Sequence, residues 1–324
     1  MGARILSILQ LMRVALALTA VADVWTVLLL KLPGQAPLAA RPWQLLFAGI
    51  ASFFLYSFGM VLNDLLDMGR DRFFAPARPL PSGRISPAAA IVLAVLCLLL
   101  SLFFAAMLVV FKPHEVVPVA LFLALGVALL IVFYNAAGKY LGATGLLTLG
   151  LIRGLNCQLG RPEAPFLLVS AVLITHVAFA STVAYFMEVK RPRLRRRDVV
   201  GVLAGILMVD GLLLAAMVFW RQVDRNFILA CGALAAVFAA YGIWVAAIFS
   251  RHHIPLRQRG RQVMRVGLFW LFAYDAVLLG SYGQWDGALA IIALGLVSGG
   301  LFITMRLTGR GLMKKPQYRL TASR

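Results

Sequence analysis

Apolar residues run along this chain in long blocks separated by short polar connections. Ten blocks stand near residues 12–30, 43–62, 88–111, 117–135, 141–160, 166–187, 199–220, 227–249, 264–282 and 287–305. Each approaches or exceeds the roughly 20 apolar residues that carry a helix across a bilayer. Strand-length alternation between turn signals is absent, which disfavours a β-barrel. The pattern predicts an all-α polytopic membrane helix bundle of nine to ten transmembrane helices, with residues 1–324 as a single domain. The count stays at nine to ten because Tyr282–Asp286, between the last two blocks, either closes a hairpin or marks one re-entrant segment. No soluble domain fits between the spans.

Composition agrees with this reading. Of 324 residues, 62% are hydrophobic and 13% charged, with a mean hydropathy of +0.91. A soluble domain carries about 25% charged residues, so a water-soluble globule and a disordered chain are both excluded. The first block contains Leu16–Ala22, which looks like a signal-peptide core, but the apolar run continues through Trp25 to Leu30 and reads as the first transmembrane helix. Cys97, Cys157 and Cys231 lie inside apolar runs and lack metal-ligand or disulfide spacing.

The charge follows the topology. Lys and Arg number 31 against 12 Asp and Glu, a formal charge of +19. Twenty-four of the basic residues fall at one set of alternating block ends, 6 at the other, and Arg153 alone inside a block. Such a split places both termini in the cytoplasm and accounts for the charge without nucleic acid. It fits a bacterial inner membrane.

The longest chemically loaded connection is residues 63–86, NDLLDMGRDRFFAPARPLPSGRIS. Asn63, Asp67 and Asp71 follow at i, i+4 and i+8, so on a helix they share one face, while Asp64 stands about 100° away. Two carboxylates and an amide oxygen at a helix end make a hard-oxygen site suited to Mg²⁺, which takes its remaining ligands from water and phosphate. Arg70, Arg72, Arg78 and Arg84 are interleaved with them, and guanidinium groups meet phosphate oxygens in bidentate fashion. The pattern points to a metal–diphosphate site. Mutual neutralisation of Asp and Arg at the interface is the plainer alternative.

This segment resembles the first aspartate-rich motif of the UbiA superfamily of intramembrane prenyltransferases, N-D/Q-x-x-D-x-x-x-D followed by R-P-x-x-x-G. The matching residues are Asn63, Asp64, Asp67, Asp71, Arg78, Pro79 and Gly83. The likeness extends to the helical layout and to Tyr134 and Lys139 after the fourth block. It implies a Mg²⁺-dependent transfer of an isoprenyl group from a polyprenyl diphosphate to a lipophilic or aromatic acceptor. Asn63, Asp67 and Asp71 would hold the metal; Arg72, Arg78, Lys139 and Lys190 would meet the diphosphate. The cytoplasmic polar cap would be built from residues 63–86, 135–140 and 185–198, with a basic tail at 306–324.

The chain departs from the family at the second aspartate-rich motif. Only Glu188 and Asp198 occur there, ten residues apart with basic residues between them. Either Glu188 survives as a single acid while arginines neutralise the diphosphate, or ordinary prenyl transfer is lost. In the second case the chain is a UbiA-like transporter or scaffold for a lipophilic precursor. The run Arg153-x-x-Asn156-x-x-x-Gly160 is similar to a divergent EboC-type branch, linked to exported secondary metabolites. Arg153 and Asn156 share a face; with Glu188 they are expected to line the chamber, the alternative for Arg153 being a buried ion pair with Asp23 or another intramembrane acid. Charges at mid-bilayer are costly and ordinarily face a cavity or a partner, which applies equally to Asp210 and Asp275.

Overall fold

The computed structural model describes residues 2–30, 42–111, 118–162, 166–188, 193–220 and 222–312. They form twelve helices and no strand. In chain order these are α1 (Gly2–Met12), α2 (Val14–Leu29), α3 (Pro42–Leu66), α4 (Met68–Phe74), α5 (Pro87–Met107) and α6 (Val119–Ala136). They continue with α7 (Ala143–Asn156), α8 (Leu167–Met187), α9 (Arg196–Phe219), α10 (Arg225–Phe249), α11 (Leu256–Ser281) and α12 (Trp285–Leu312). Among the described residues eight helices are long and apolar enough to cross a bilayer, and the bent pair α1–α2 makes a ninth. Both α11 and α12 are among them, so the last two blocks are full-length helices joined by a turn.

The short element is α7. Its 14 residues rise only about 21 Å, too little for a span. Turns of 3₁₀-helix extend it at both ends, Gly138–Tyr140 before it and Cys157–Gly160 after it. At one end Lys139 meets Asp67, just past the C-terminus of α3; at the other the Gln44 amide, near the start of α3, donates to the Gly160 carbonyl at 3.1 Å. The α7 segment therefore runs the length of α3 from inside the bundle.

Helix ends follow the sequence. Ser86 caps α5 by accepting from the Ala89 N–H at 3.2 Å with Pro87 in the first turn, and Asp224 caps α10 by accepting from the Phe227 N–H at 2.7 Å. Pro76 follows α4 directly.

The apolar interior forms two main bodies that meet on α2. Val24 and Leu28 pack with Leu55, Phe58, Ala94 and Ile131 on one side. Ala22, Val27 and Leu30 pack with Leu173, Leu234, Leu271 and Leu278 on the other. In a bilayer lipid competes equally for apolar contact, so close approach and interhelical hydrogen bonds specify the arrangement. At Gly150 a Cβ would come within 2.7 Å of the Ile174 carbonyl oxygen, so α7 and α8 touch through backbone there. Ser52 and Ser101 hydroxyls donate to the carbonyls of Ala20 and Ala51 at 2.9 and 2.8 Å, tying α3 to α2 and α5 to α3.

Candidate functional site

The end of α3 carries an ionic network. The helix hitches at Asp67 and resumes as α4, but the ladder persists: the Asp67 N–H donates to Asn63 and the Asp71 N–H to Asp67, both at 2.9 Å. That continuity keeps Asn63, Asp67 and Asp71 in helical register. Asp64, Asp67 and Asp71 are all buried, at 4%, 5% and 3% exposure, and every carboxylate has a cationic partner.

Lys139, from the 3₁₀ turn before α7, places Nζ 2.7 Å from Asp67 Oδ1, and Arg70 reaches Asp67 Oδ2 at 3.0 Å. Arg78 pairs with Asp71 and bridges to Asp64 Oδ1 at 3.3 Å. Arg13 approaches Asp64 Oδ1 from the α1–α2 junction at 3.0 Å. The Asn63 amide, half-buried, lies 3.5 Å from the same oxygen. Three acids and four cations thus meet where α1, α3, α4 and α7 converge. Arg84 ties the following loop to α1 through the Gln10 side chain at 3.1 Å and the Ala77 carbonyl at 2.7 Å, and partial burial draws its guanidinium below the ordinary arginine value.

Arg13 and Arg70 stand outside the residues that the i, i+4, i+8 spacing selects, and so does Asp64, which is about 100° from Asn63 but only about 20° from Asp71, seven residues on. Asp64 therefore joins the same face: Arg78 contacts both Asp64 and Asp71, and Arg13 reaches Asp64 from the α1–α2 junction. Arg13 makes this approach at a bend of 42°, with φ 52 and ψ 46, the one non-glycine positive φ among the described residues. Left-handed backbone is costly for a side-chain-bearing residue and clusters at functional sites. A lone arginine at the entry to the first apolar block was the only sequence signal available. Arg72, by contrast, is exposed. Lys190 lies outside the described residues.

The donor set fits an open Mg²⁺ site. All candidate ligands are hard carboxylate and amide oxygens, and among the described residues no group of three or more His, Cys, Asp and Glu side chains closes into a metal cage. Mg²⁺ binds through one or two carboxylates and completes its shell with water and phosphate. Asn63, Asp67 and Asp71 would hold it.

The two acids of the degenerate second motif have different neighbours. Glu188 ends α8 with its Cγ packed 2.9 Å from where a Gly260 Cβ would stand, against α11. Asp198 caps α9 by accepting from the Arg195 N–H at 2.7 Å, and its Oδ1 overlies Gly142, beside the turn that bears Lys139. Deeper in the bundle, Arg153 is ion-paired with Asp23, donates to Thr19 Oγ1 at 2.7 Å and lies 5.9 Å from the Tyr56 ring. Of the two readings for Arg153, the buried ion pair is the contact present. Asn156 donates to Ser52 Oγ at 2.7 Å, linking α7 to α3.

No curated protein matches the sequence. In structure the chain is similar to digeranylgeranylglyceryl phosphate synthase in membranes, with 16% identity, a TM-score of 0.56, and coverage of 89% of this chain and 99% of that one. It is also similar to the apo structure of a UbiA homolog from Aeropyrum pernix K1, with 18% identity, a TM-score of 0.54, and coverage of 83% and 96%. At such identities these likenesses establish the fold. The model of the UbiA prenyltransferase family matches residues 15–251, from α2 through α10 with the whole carboxylate cluster inside it. This chain is an integral membrane protein and belongs to the UbiA prenyltransferase family.

Proposed function

We propose that the chain is a Mg²⁺-dependent prenyltransferase that moves an isoprenyl group from a polyprenyl diphosphate to a lipophilic or aromatic acceptor. The observation that carries this reading is the buried Asp64–Asp67–Asp71 set with Arg13, Arg70, Arg78 and Lys139 held against it. The carboxylates are pre-neutralised by the cations that a diphosphate needs. Asn63, Asp67 and Asp71 would hold Mg²⁺, and Arg13, Arg70, Arg78 and Lys139 would face the outer phosphate oxygens. Bound Mg²⁺ supplies charge neutralisation for the leaving diphosphate. Arg78 and Lys139, already oriented, stabilise the negative charge that develops as the C–O bond breaks. The allylic cation left behind is captured by the acceptor, which then releases a proton.

The same reading sets the diphosphate end at the cytoplasmic face of a bacterial inner membrane, with both termini on that side, as the 24-to-6 division of basic residues supports. The ten residues of sequence between Glu188 and Asp198, with basic residues among them, favour a one-motif site and are also what a UbiA-like transporter or scaffold without transferase activity would show. The deciding experiment is thermal stabilisation of the purified chain by geranyl, farnesyl and geranylgeranyl diphosphate with and without Mg²⁺, followed by product analysis with candidate acceptors. Metal-dependent stabilisation that is lost in Asp67→Ala and Asp71→Ala supports the site. Binding without product from any acceptor favours the carrier. No binding by any diphosphate refutes the transferase reading.

A further inference from the structure

Asp23 on α2, Arg153 on α7 and Asp275 on α11 meet in the bilayer core, at 0%, 6% and 2% exposure. Arg153 is committed to Asp23 and Thr19. Asp275 interacts electrostatically with Asp23 and Thr26 where α11 packs on α2. The formal charge of the cluster is therefore one negative in excess.

Apart from Arg153 Nε and Asp23 Oδ2, which face each other as an ion pair, the buried polar atoms of the cluster without a hydrogen-bond partner are oxygens. Asp23 Oδ1, Thr26 Oγ1 and Asp275 Oδ2 are buried without a donor. Leaving such acceptors unpaired in a protein interior is costly, and more so for an anion at mid-membrane. Asp275 and Tyr274 also line a cavity of about 10 Å³, bounded by Val169, Leu173, Leu234 and Leu278. That is at most room for a single water beside Asp275, and Asp23 and Thr26 do not line it. A larger organic ligand is too big for the space, and an anion has the wrong sign.

The geometry points to an intramembrane site for one small monovalent cation, a proton or a sodium ion, held by Asp23, Asp275 and Thr26 and kept in place by Arg153. Either occupant supplies the missing positive charge and uses the orphaned oxygens: a proton bridges the two carboxylates, whereas sodium takes them with the threonine hydroxyl and a water. Because α2 and α11 bring one acid each, occupancy fastens the two helices together. The other ionisable or polar groups facing the cluster are Cys157 in the 3₁₀ turn after α7, His176 on α8, Tyr56 on α3 and Tyr274 on α11. His176 already bonds the Tyr274 hydroxyl at 3.0 Å and the Gly267 carbonyl at 2.9 Å.

The test uses the full chain in detergent without Mg²⁺ or diphosphate, so its outcome is independent of the transferase reading. Melting temperature is measured against NaCl at ionic strength held constant with choline chloride, and against pH in sodium-free buffer. A sodium site gives a saturating rise of several degrees with NaCl. A proton site gives no sodium response and a fall in melting temperature as the pH rises, because the proton bound in the native state is lost. Asp275→Asn removes the charge while keeping the shape, and is expected to abolish whichever response is seen. Thr26→Val, which deletes one ligand oxygen and no charge, is expected to shift the sodium midpoint and to leave a proton response in place. If Asp275→Asn fails to fold, the wild-type and Thr26→Val titrations decide. A wild type flat in both titrations overturns the proposal. So does a response retained in folded Asp275→Asn, which would belong to His176 or to the carboxylates beyond α3.

Discussion

Lys139 and Asp67 meet at 2.7 Å across 72 residues of sequence, joining the turn before α7 to the break between α3 and α4. At 9% and 5% side-chain exposure the pair is largely withdrawn from water. A lysine so placed holds Asp67 in position and is itself poised for a phosphate oxygen. Lys139→Met keeps the stem and deletes the charge. A hydrogen bond to a charged group contributes about 1.5–3 kcal/mol, so the Kd for geranylgeranyl diphosphate in Mg²⁺ is expected to rise about 10- to 100-fold. Calorimetric or thermal-shift titration measures it, and an unchanged Kd would remove Lys139 from the site.

The arginines divide by their contacts. Arg13 reaches Asp64, whereas Arg72, one position after Asp71, is exposed. Arg72→Ala is expected to change stability by no more than about 0.5 kcal/mol, as exposed substitutions do, and to leave diphosphate affinity unaltered. Arg13→Ala is expected to weaken binding at least tenfold, because Asp64 loses a partner and the phosphate loses a cation. Measuring both variants side by side separates a network defined by contact from one defined by proximity in sequence; equal losses would contradict the geometry.

Much of this was legible in the sequence, for reasons that differ from element to element. Length and hydropathy locate the long helices because a bilayer tolerates little else, and the i, i+4, i+8 spacing sets Asn63, Asp67 and Asp71 on one face because the helical ladder passes through Asp67 intact. Asp64 falls outside the stripe only when measured from Asn63; seven residues before Asp71 it lies about 20° from it on the helix, and Arg78 contacts both carboxylates. The α7 segment reads as a span like the others, since its apolar length includes two 3₁₀ turns that only the fold distinguishes. Asp23 is already a candidate partner of Arg153 in the sequence, as one of the few acids inside the apolar blocks; choosing the ion pair over chamber lining required knowing that α2 lies beside α7.

Chelation should act through the site and leave the bundle intact. The carboxylates already have cationic partners without metal, so EDTA alone is expected to leave the melting temperature nearly unchanged. It is expected to abolish the stabilisation given by a prenyl diphosphate, about 2.7 kcal/mol at a hundredfold excess over Kd. A large destabilisation by EDTA in the absence of diphosphate would instead mean that a metal is part of the folded apo protein.

Gly142 offers a test of the contact between α9 and the turn bearing Lys139. Its φ of +56 disfavours any side chain, and a Cβ there would stand 2.8 Å from Asp198 Oδ1. Gly142→Ala is expected to lower stability by about 1–3 kcal/mol. The double variant with Asp198→Ala is expected to recover only part of that loss, because removing the carboxylate relieves the collision but not the backbone strain. Thermal unfolding of the two variants checks this, and full recovery would assign the whole cost to the clash.

The Asp23–Arg153 pair yields the largest expected effect and also distinguishes its two possible meanings. Asp23→Asn leaves a guanidinium in the bilayer core without its carboxylate, and breaking a buried pair from one side costs about 3–5 kcal/mol. Replacing both partners, as Asp23→Leu with Arg153→Met, removes the two charges of the pair together, leaves Asp275 with the excess charge the cluster carries already, and is expected to cost markedly less. If the pair only fixes α2 against α7, the folded double variant keeps wild-type diphosphate affinity and product formation. If Arg153 also orients the acceptor, the double variant binds diphosphate normally but forms product with a raised KM for the acceptor. Melting temperature combined with the acceptor KM therefore separates a packing role from a substrate role at the same residue.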